Sequence, residues 1–123
     1  MDISDSEYQV MEAIWQGHPC TATDIVSRLN ESEQWHEKTV KTLIGRLVKK
    51  EALSFEKQGR QYVYSTTLQK SDYQIEKSQS FLSKMFDGKI SPLVAAFANK
   101  DALDAKDISE LKDIINNWEQ DHD

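Results

Sequence analysis

The chain has 123 residues, of which 38% are hydrophobic and 29% charged, and its formal net charge is −6. That length allows one compact domain, or a domain of roughly 70 residues with an interaction appendage, and the low apolar share predicts elements whose hydrophobic faces need a partner. One cysteine, Cys20, excludes an intramolecular disulfide, the acidic opening MDISDSEYQV is wrong for a signal peptide, and no apolar run approaches the roughly 18 residues of a membrane-spanning helix, so a cytoplasmic protein without membrane contact is expected.

The first helix is predicted to start at Ser4, because Ser4 and Glu7 fit a capping box and Ile3 can staple onto Tyr8. Its buried stripe is Tyr8, Met11, Ile14 and Trp15, with Val10 beside them, and Gly17 ends it. His18, Pro19 and Cys20 form a short extended link. Thr21 and Asp24 repeat the capping pattern and open a second helix with Ile25, Val26 and Leu29 inward. Asn30 to Gln34 are all polar and form a turn, after which Trp35 plants an apolar anchor before the third helix.

That third helix, HEKTVKTLIGRLVKK from His36 to Lys50, is two-faced. Val40, Leu43, Ile44, Leu47 and Val48 recur at helical spacing on one stripe. Lys38, Thr42, Gly45, Arg46 and Lys49 point the other way, with Lys41 on the flank. A solvated face explains such charges in most helices. Here the distribution of charge adds weight to nucleic acid: from Lys38 to Arg60 the local balance is +5, whereas from Gln69 to the end it is −4. A basic island in an acidic chain meets phosphates locally while the remaining charge suppresses indiscriminate binding.

ALSFEKQGRQYVYSTT follows. Leu53, Phe55 and Lys57 alternate with Ser54 and Glu56, and after Gln58 and Gly59 the alternation resumes, with Tyr62 and Tyr64 on one face and Val63 and Ser65 on the other. This is a β-hairpin in which Gly59 supplies positive φ at the tip, flanked by Lys57, Arg60 and Gln61. Three short helices and a hairpin with a basic tip make a winged helix, whose third helix enters the major groove while the wing reaches adjacent backbone.

Beyond about Leu68 the pattern is helical. Ser71 to Gly88 carries Tyr73, Ile75, Phe81, Leu82, Met85 and Phe86, and Ser91 to Lys100 carries Leu93, Val94, Ala95, Ala96 and Phe97. The last helix starts at the cap Asp104, with Asp107 three residues on and Leu103 stapled to Ile108, and its stripe is Ile108, Leu111, Ile114, Ile115 and Trp118. These faces are too numerous for three isolated helices to bury. Burial against an identical subunit is the economical solution, and folding back on the N-terminal domain is the alternative. The expected fold class is mostly α with a small β-hairpin: a winged helix-turn-helix domain over residues 1–70 and a helical dimerisation domain over 71–123.

Catalysis finds little support, and no enzyme, cofactor or metal site is expected. His18, His36 and His122 lie far apart, and there is no phosphate loop, Cys-x-x-Cys pair or Ser/His/Asp order. Cys20 reads more readily as a small buried hydrophobe than as a redox or metal sensor. Asp121, His122 and Asp123 have some capacity for a weakly held cation, which a frayed acidic tail explains equally well.

The run ISDSEYQVMEAIW, then Trp35, Lys38 and Thr39 as W-x-x-K-T, then VKTLIGRLVKKEAL and KQGRQYVY, is similar to the penicillinase and methicillin-resistance repressors of the BlaI/MecI family, which includes the copper-responsive CopY repressors. The similarity extends through FLSKMFDGKISPLVAAF to DALDAKDISELKDII. The resemblance implies a bacterial transcriptional repressor that binds a palindromic double-stranded operator as a homodimer. Carried over by position, Lys38, Thr39, Lys41, Thr42 and Arg46 present polar groups to DNA from a recognition helix over about 37–51. Lys57, Gln58, Gly59 and Arg60 form the tip of a wing over about 53–66. Candidate dimerisation residues are Tyr73, Phe81, Leu82, Met85 and Phe86, then Leu93 and Phe97, then Ile108, Leu111, Ile115 and Trp118.

The release chemistry departs from the family. The Asn-Phe bond that a sensor protease cuts in β-lactam-responsive members is matched by Ala96-Phe97, and the two Cys-x-Cys pairs of the copper-responsive members are missing from the tail NNWEQDHD. An inducing signal, if there is one, is therefore unidentified. The recognition-helix cap, often serine in the family, is His36, a poorer cap whose ring could instead reach a phosphate. The competing functional class is a winged-helix module whose basic face docks an acidic protein.

Overall fold

The computed structural model describes residues 2–122; Met1, and Asp123 of the acidic tail, lie outside them. The elements are α1 (Asp5–Trp15), β1 (Cys20–Thr21), α2 (Ala22–Leu29), α3 (Glu37–Lys49), β2 (Leu53–Gln58), β3 (Gln61–Thr66), α4 (Lys70–Phe86), α5 (Ser91–Asn99) and α6 (Ala105–Asp121). Contacts divide them into two units, Met1–Ile75 and Glu76–Asp123, with the division inside α4.

In the first unit the helix starts follow the capping chemistry of the sequence. Ser4 Oγ accepts the Glu7 N–H at 3.2 Å and Glu7 Oε1 accepts the Ser4 N–H at 2.9 Å. Thr21 and Asp24 make the same reciprocal pair at 3.1 and 3.0 Å. Each pair satisfies two backbone donors that a helix start leaves without partners. The end of α1 uses a long-range device instead: Arg28 Nη1 donates to the carbonyls of Ala13 and Gly17 at 2.9 and 2.7 Å. Gly17 is not left-handed, so this cation, rather than a glycine turn, closes the helix.

The apolar stripes of α1, α2 and α3 converge on one core containing Met11, Ile14, Ile25, Val40, Ile44 and Leu47, with Trp15, Trp35 and Val48 packed against it. The sheet has order β1-β3-β2 and is antiparallel throughout. Phe55 pairs with Tyr64, Lys57 with Tyr62 and Gln58 with Gln61, leaving Gly59 and Arg60 as a two-residue turn in which Gly59 has φ +64°. The extended link expected before α2 pairs as a strand, Cys20 opposite Tyr64 and Thr21 opposite Val63, and anchors the hairpin to the start of α2.

One dimerisation assignment is corrected here. Tyr73, near the start of α4, is only 6% exposed. Its ring stacks on Tyr8 at 5.7 Å and lies 6.3 Å from Trp15, so it completes the core of the first unit. Its aromatic character, read as an apolar face seeking a partner, is used up locally.

In the second unit, Asp104 and Asp107 form the third reciprocal cap, at 2.8 and 3.2 Å. Gly88, with φ +77°, follows the end of α4 and its N–H reaches the Leu82 carbonyl at 2.8 Å. Leu82, Phe86, Leu93 and Leu111 are half-buried, while Phe81, Met85, Phe97, Ile108, Ile115 and Trp118 are exposed.

Candidate nucleic-acid interface

The geometry of α3 follows from its two faces. Val40, Leu43, Ile44 and Leu47 are buried, and Lys38, Thr39, Lys41, Thr42 and Arg46 are all exposed. Burying the apolar stripe fixes the helix's rotation and leaves its polar side chains outward. The start of the helix is held by His36, whose Nδ1 accepts the Lys38 N–H at 3.2 Å. An accepting Nδ1 puts the neutral ring's proton on Nε2. The ring thus serves as the helix cap.

Within that face Glu37 pairs with Lys41 at 3.1 Å, and Thr42 Oγ1 donates to the Lys38 carbonyl at 3.0 Å. The Thr42 hydroxyl is therefore oriented by its own helix and keeps its lone pairs outward. At the wing, Lys57, Gln58, Gly59 and Arg60 are exposed on and beside the turn. α3 and the hairpin flank a common groove to which α3 contributes Lys41, Ile44, Gly45 and Val48, and the hairpin Phe55, Gln61, Tyr62 and Tyr64. The structure thus brings Lys41 to the groove beside the wing, while Lys57 to Arg60 occupy the wing's tip.

One member of the basic island faces elsewhere. Lys50 Nζ donates to Glu7 Oε1 at 2.7 Å and to the Asp2 carbonyl at 2.8 Å. Burial alone pushes the Glu7 carboxyl up, but the hydrogen bonds from Lys50 and Ser4, with the Lys50 charge, outweigh it and hold the group below its ordinary value. Glu7 was legible only as half of a capping box; its bond to Lys50, 43 residues away, has no local signature. Cys20 is buried, and that burial pushes its thiol up, which keeps it protonated as a small apolar side chain. Among the described residues no helix is long and apolar enough to cross a membrane.

Comparison with known proteins identifies the family. Residues 3–117 match the family model described as penicillinase repressor. The penicillinase repressor of Bacillus licheniformis is 36% identical over 113 residues, covering 92% of this chain and 88% of that one. The methicillin resistance regulatory protein MecI of Staphylococcus aureus is 32% identical over 115 residues, covering 94% of each. Among solved structures, the monomeric form of Bacillus licheniformis BlaI in complex with the blaP half-operator superposes with a TM-score of 0.52 at 37% identity, covering 59% of this chain and 89% of that one. The chain belongs to the penicillinase repressor family of DNA-binding transcriptional repressors.

Proposed function

We propose that this repressor binds a palindromic operator as a homodimer, each protomer placing α3 in the major groove and the β2-β3 wing on adjacent backbone. The observation that carries the reading is the outward row Lys38, Thr39, Lys41, Thr42 and Arg46, held by a helix whose other face buries Val40, Leu43, Ile44 and Leu47. A BlaI relative has been solved with a half-operator, and this chain shares its fold and more than a third of the aligned sequence. Lys38, Lys41, Lys57 and Arg60 supply the phosphate contacts that dominate affinity, with Gln58 and the Gly59 backbone beside them. Thr42 and Arg46 are the residues nearest base edges, Arg46 having the two-pronged geometry that matches guanine.

Dimerisation is assigned to the second unit. Phe81, Met85, Phe97, Ile115 and Trp118 present large apolar surfaces to solvent in the single chain. So many exposed large hydrophobic side chains call for a partner, and a two-fold copy covers identical faces at once.

Footprinting on the DNA upstream of the protein's own gene tests the reading. Protection of two half-sites about one helical turn or a multiple apart is expected. Lys57→Ala should weaken all sequences alike and lower the salt slope by about one unit, whereas Arg46→Ala should reduce discrimination at a single base position by about 1–3 kcal/mol. Absence of salt-sensitive, sequence-selective binding would overturn the proposal in favour of an acidic protein partner.

A further inference from the structure

The groove between α3 and the wing has a volume of about 530 Å³, within the usual size of a small-molecule site, and its walls are mainly apolar: Ile44 and Val48 from the helix, Phe55, Tyr62 and Tyr64 from the hairpin. A phosphate would find donors only on Thr21, Thr23, Lys41, Gln61 and the tyrosine hydroxyls, and would leave the apolar walls uncovered. They suit an aromatic ring. Phe55 and Tyr62 meet edge to face with centroids 5.5 Å apart, and both remain about half exposed.

Gly45 lines the same groove in the middle of α3. Inside a helix glycine is less favourable than any residue except proline, so its presence needs a reason. The backbone supplies none, since Gly45 is not among the positive-φ positions. Packing supplies none either: a Cβ built there meets nothing within 4 Å. What the glycine preserves is open space in the groove.

Lys41 is the one charged side chain lining that space. Its ion pair with Glu37 at 3.1 Å joins two groups each more than half exposed, which makes it weak and exchangeable. A carboxylate seated over the aromatic walls would replace Glu37 with a charge-assisted hydrogen bond in a drier setting. We infer that the groove between α3 and the wing binds a planar aromatic carboxylate, and that its occupancy weakens operator binding by withdrawing Lys41 from phosphate. The second half rests on the operator reading above; the first does not. Linkage then requires operator DNA to weaken the ligand by the same factor.

The full-length protein without DNA is titrated with 2-naphthoate and with its neutral counterpart 2-naphthamide, followed by amide chemical shifts and probe fluorescence. Saturable binding of the acid is expected, at least tenfold tighter than the amide, with the largest shifts at Gly45 and Tyr62. Gly45→Leu fills the groove and should abolish binding while thermal stability holds or rises. Lys41→Met keeps the alkyl stem and should erase the preference for the acid. With operator present, saturating 2-naphthoate should raise the apparent Kd for DNA severalfold. No saturable binding, or equal binding of acid and amide, overturns the site whether or not the protein binds DNA. Binding of the acid that leaves operator affinity unchanged overturns the coupling.

Discussion

The two units of this chain have equally good local helix signals and opposite fates for their hydrophobic side chains. Reciprocal caps start α1 and α2 in the first unit and α6 in the second. Yet the buried hydrophobic side chains of the described residues all lie between Ile3 and Tyr73, while in the second unit Met85 is 65% and Trp118 59% exposed. Capping and propensity decide that a segment is helical. Burial decides whether helices become a domain, and the second unit's surplus of exposed apolar surface is the physical content of the homodimer proposal.

The largest expected effect tests that contrast directly. Leu47 is fully buried in the first unit, and Leu47→Ala should cost about 2–5 kcal/mol, read from urea unfolding, with loss of DNA binding as the first unit opens. Ile115 is exposed in the single chain, so Ile115→Ala should leave the first unit's transition within about 0.5 kcal/mol. It should instead raise the dimer dissociation constant by about tenfold in sedimentation equilibrium, the signature of an interface anchor. Comparable destabilisation of the first unit by both substitutions would break the distinction between the units.

The next effect comes from the ion pair between Lys50 and Glu7, which joins the ends of two helices in the first unit. Lys50→Met leaves a buried carboxylate without its cation. Because the lysine itself is partly exposed, the cost is taken at the lower end, about 1–2 kcal/mol. The folded protein holds the Glu7 carboxyl below its ordinary value, so the pair contributes in full above that value and its contribution fades as pH falls through the lowered one. Without Lys50 the carboxyl rises, so the acid-side loss of stability that Glu7 contributes should shrink and the stabilities of the two proteins should converge as pH falls. Urea midpoints measured from pH 3 to 7 check this; parallel curves for the two proteins would remove Glu7 from the account.

Much of the first unit was legible because its signals are local. Ser4 with Glu7, Thr21 with Asp24, the helical spacing of Val40 to Val48 and Gly59 at a hairpin tip each specify structure within a few residues. The outward face of α3 followed from the same periodicity. What escaped notice depends on distant partners: the pairing of Cys20 with Tyr64, the closure of α1 by Arg28, the bond from Lys50 to Glu7, and the use of Tyr73 as core. The aromatic groove has no local signature for the same reason, since Gly45 and Tyr62 come to line one space only when the hairpin folds beside α3. Histidine is a poorer cap than serine by residue type, yet the structure uses the Nδ1 of His36 as the acceptor.

The smallest expected effect concerns two helix ends that the residue types conceal. α3 and α5 both finish with an acidic residue in the left-handed region, Glu51 at φ +67° and Asp101 at φ +56°, where glycine is the usual occupant. The hydrogen bonds are those of a Schellman turn in each. Ala52 N–H reaches the Leu47 carbonyl and Glu51 N–H that of Val48, at 2.9 and 3.0 Å; Ala102 reaches Phe97 and Asp101 reaches Ala98, at 2.9 and 3.2 Å. Glycine removes the Cβ clash but enlarges the unfolded ensemble, so the net gain from Glu51→Gly should be about 0.5 kcal/mol. That gain should appear in the urea transition of the first unit. Asp101→Gly relieves the same strain in the second, where it should leave that transition unmoved and register only in the dimer dissociation constant. A gain of equal size in the first unit's transition from both substitutions would mean that the two units unfold as one.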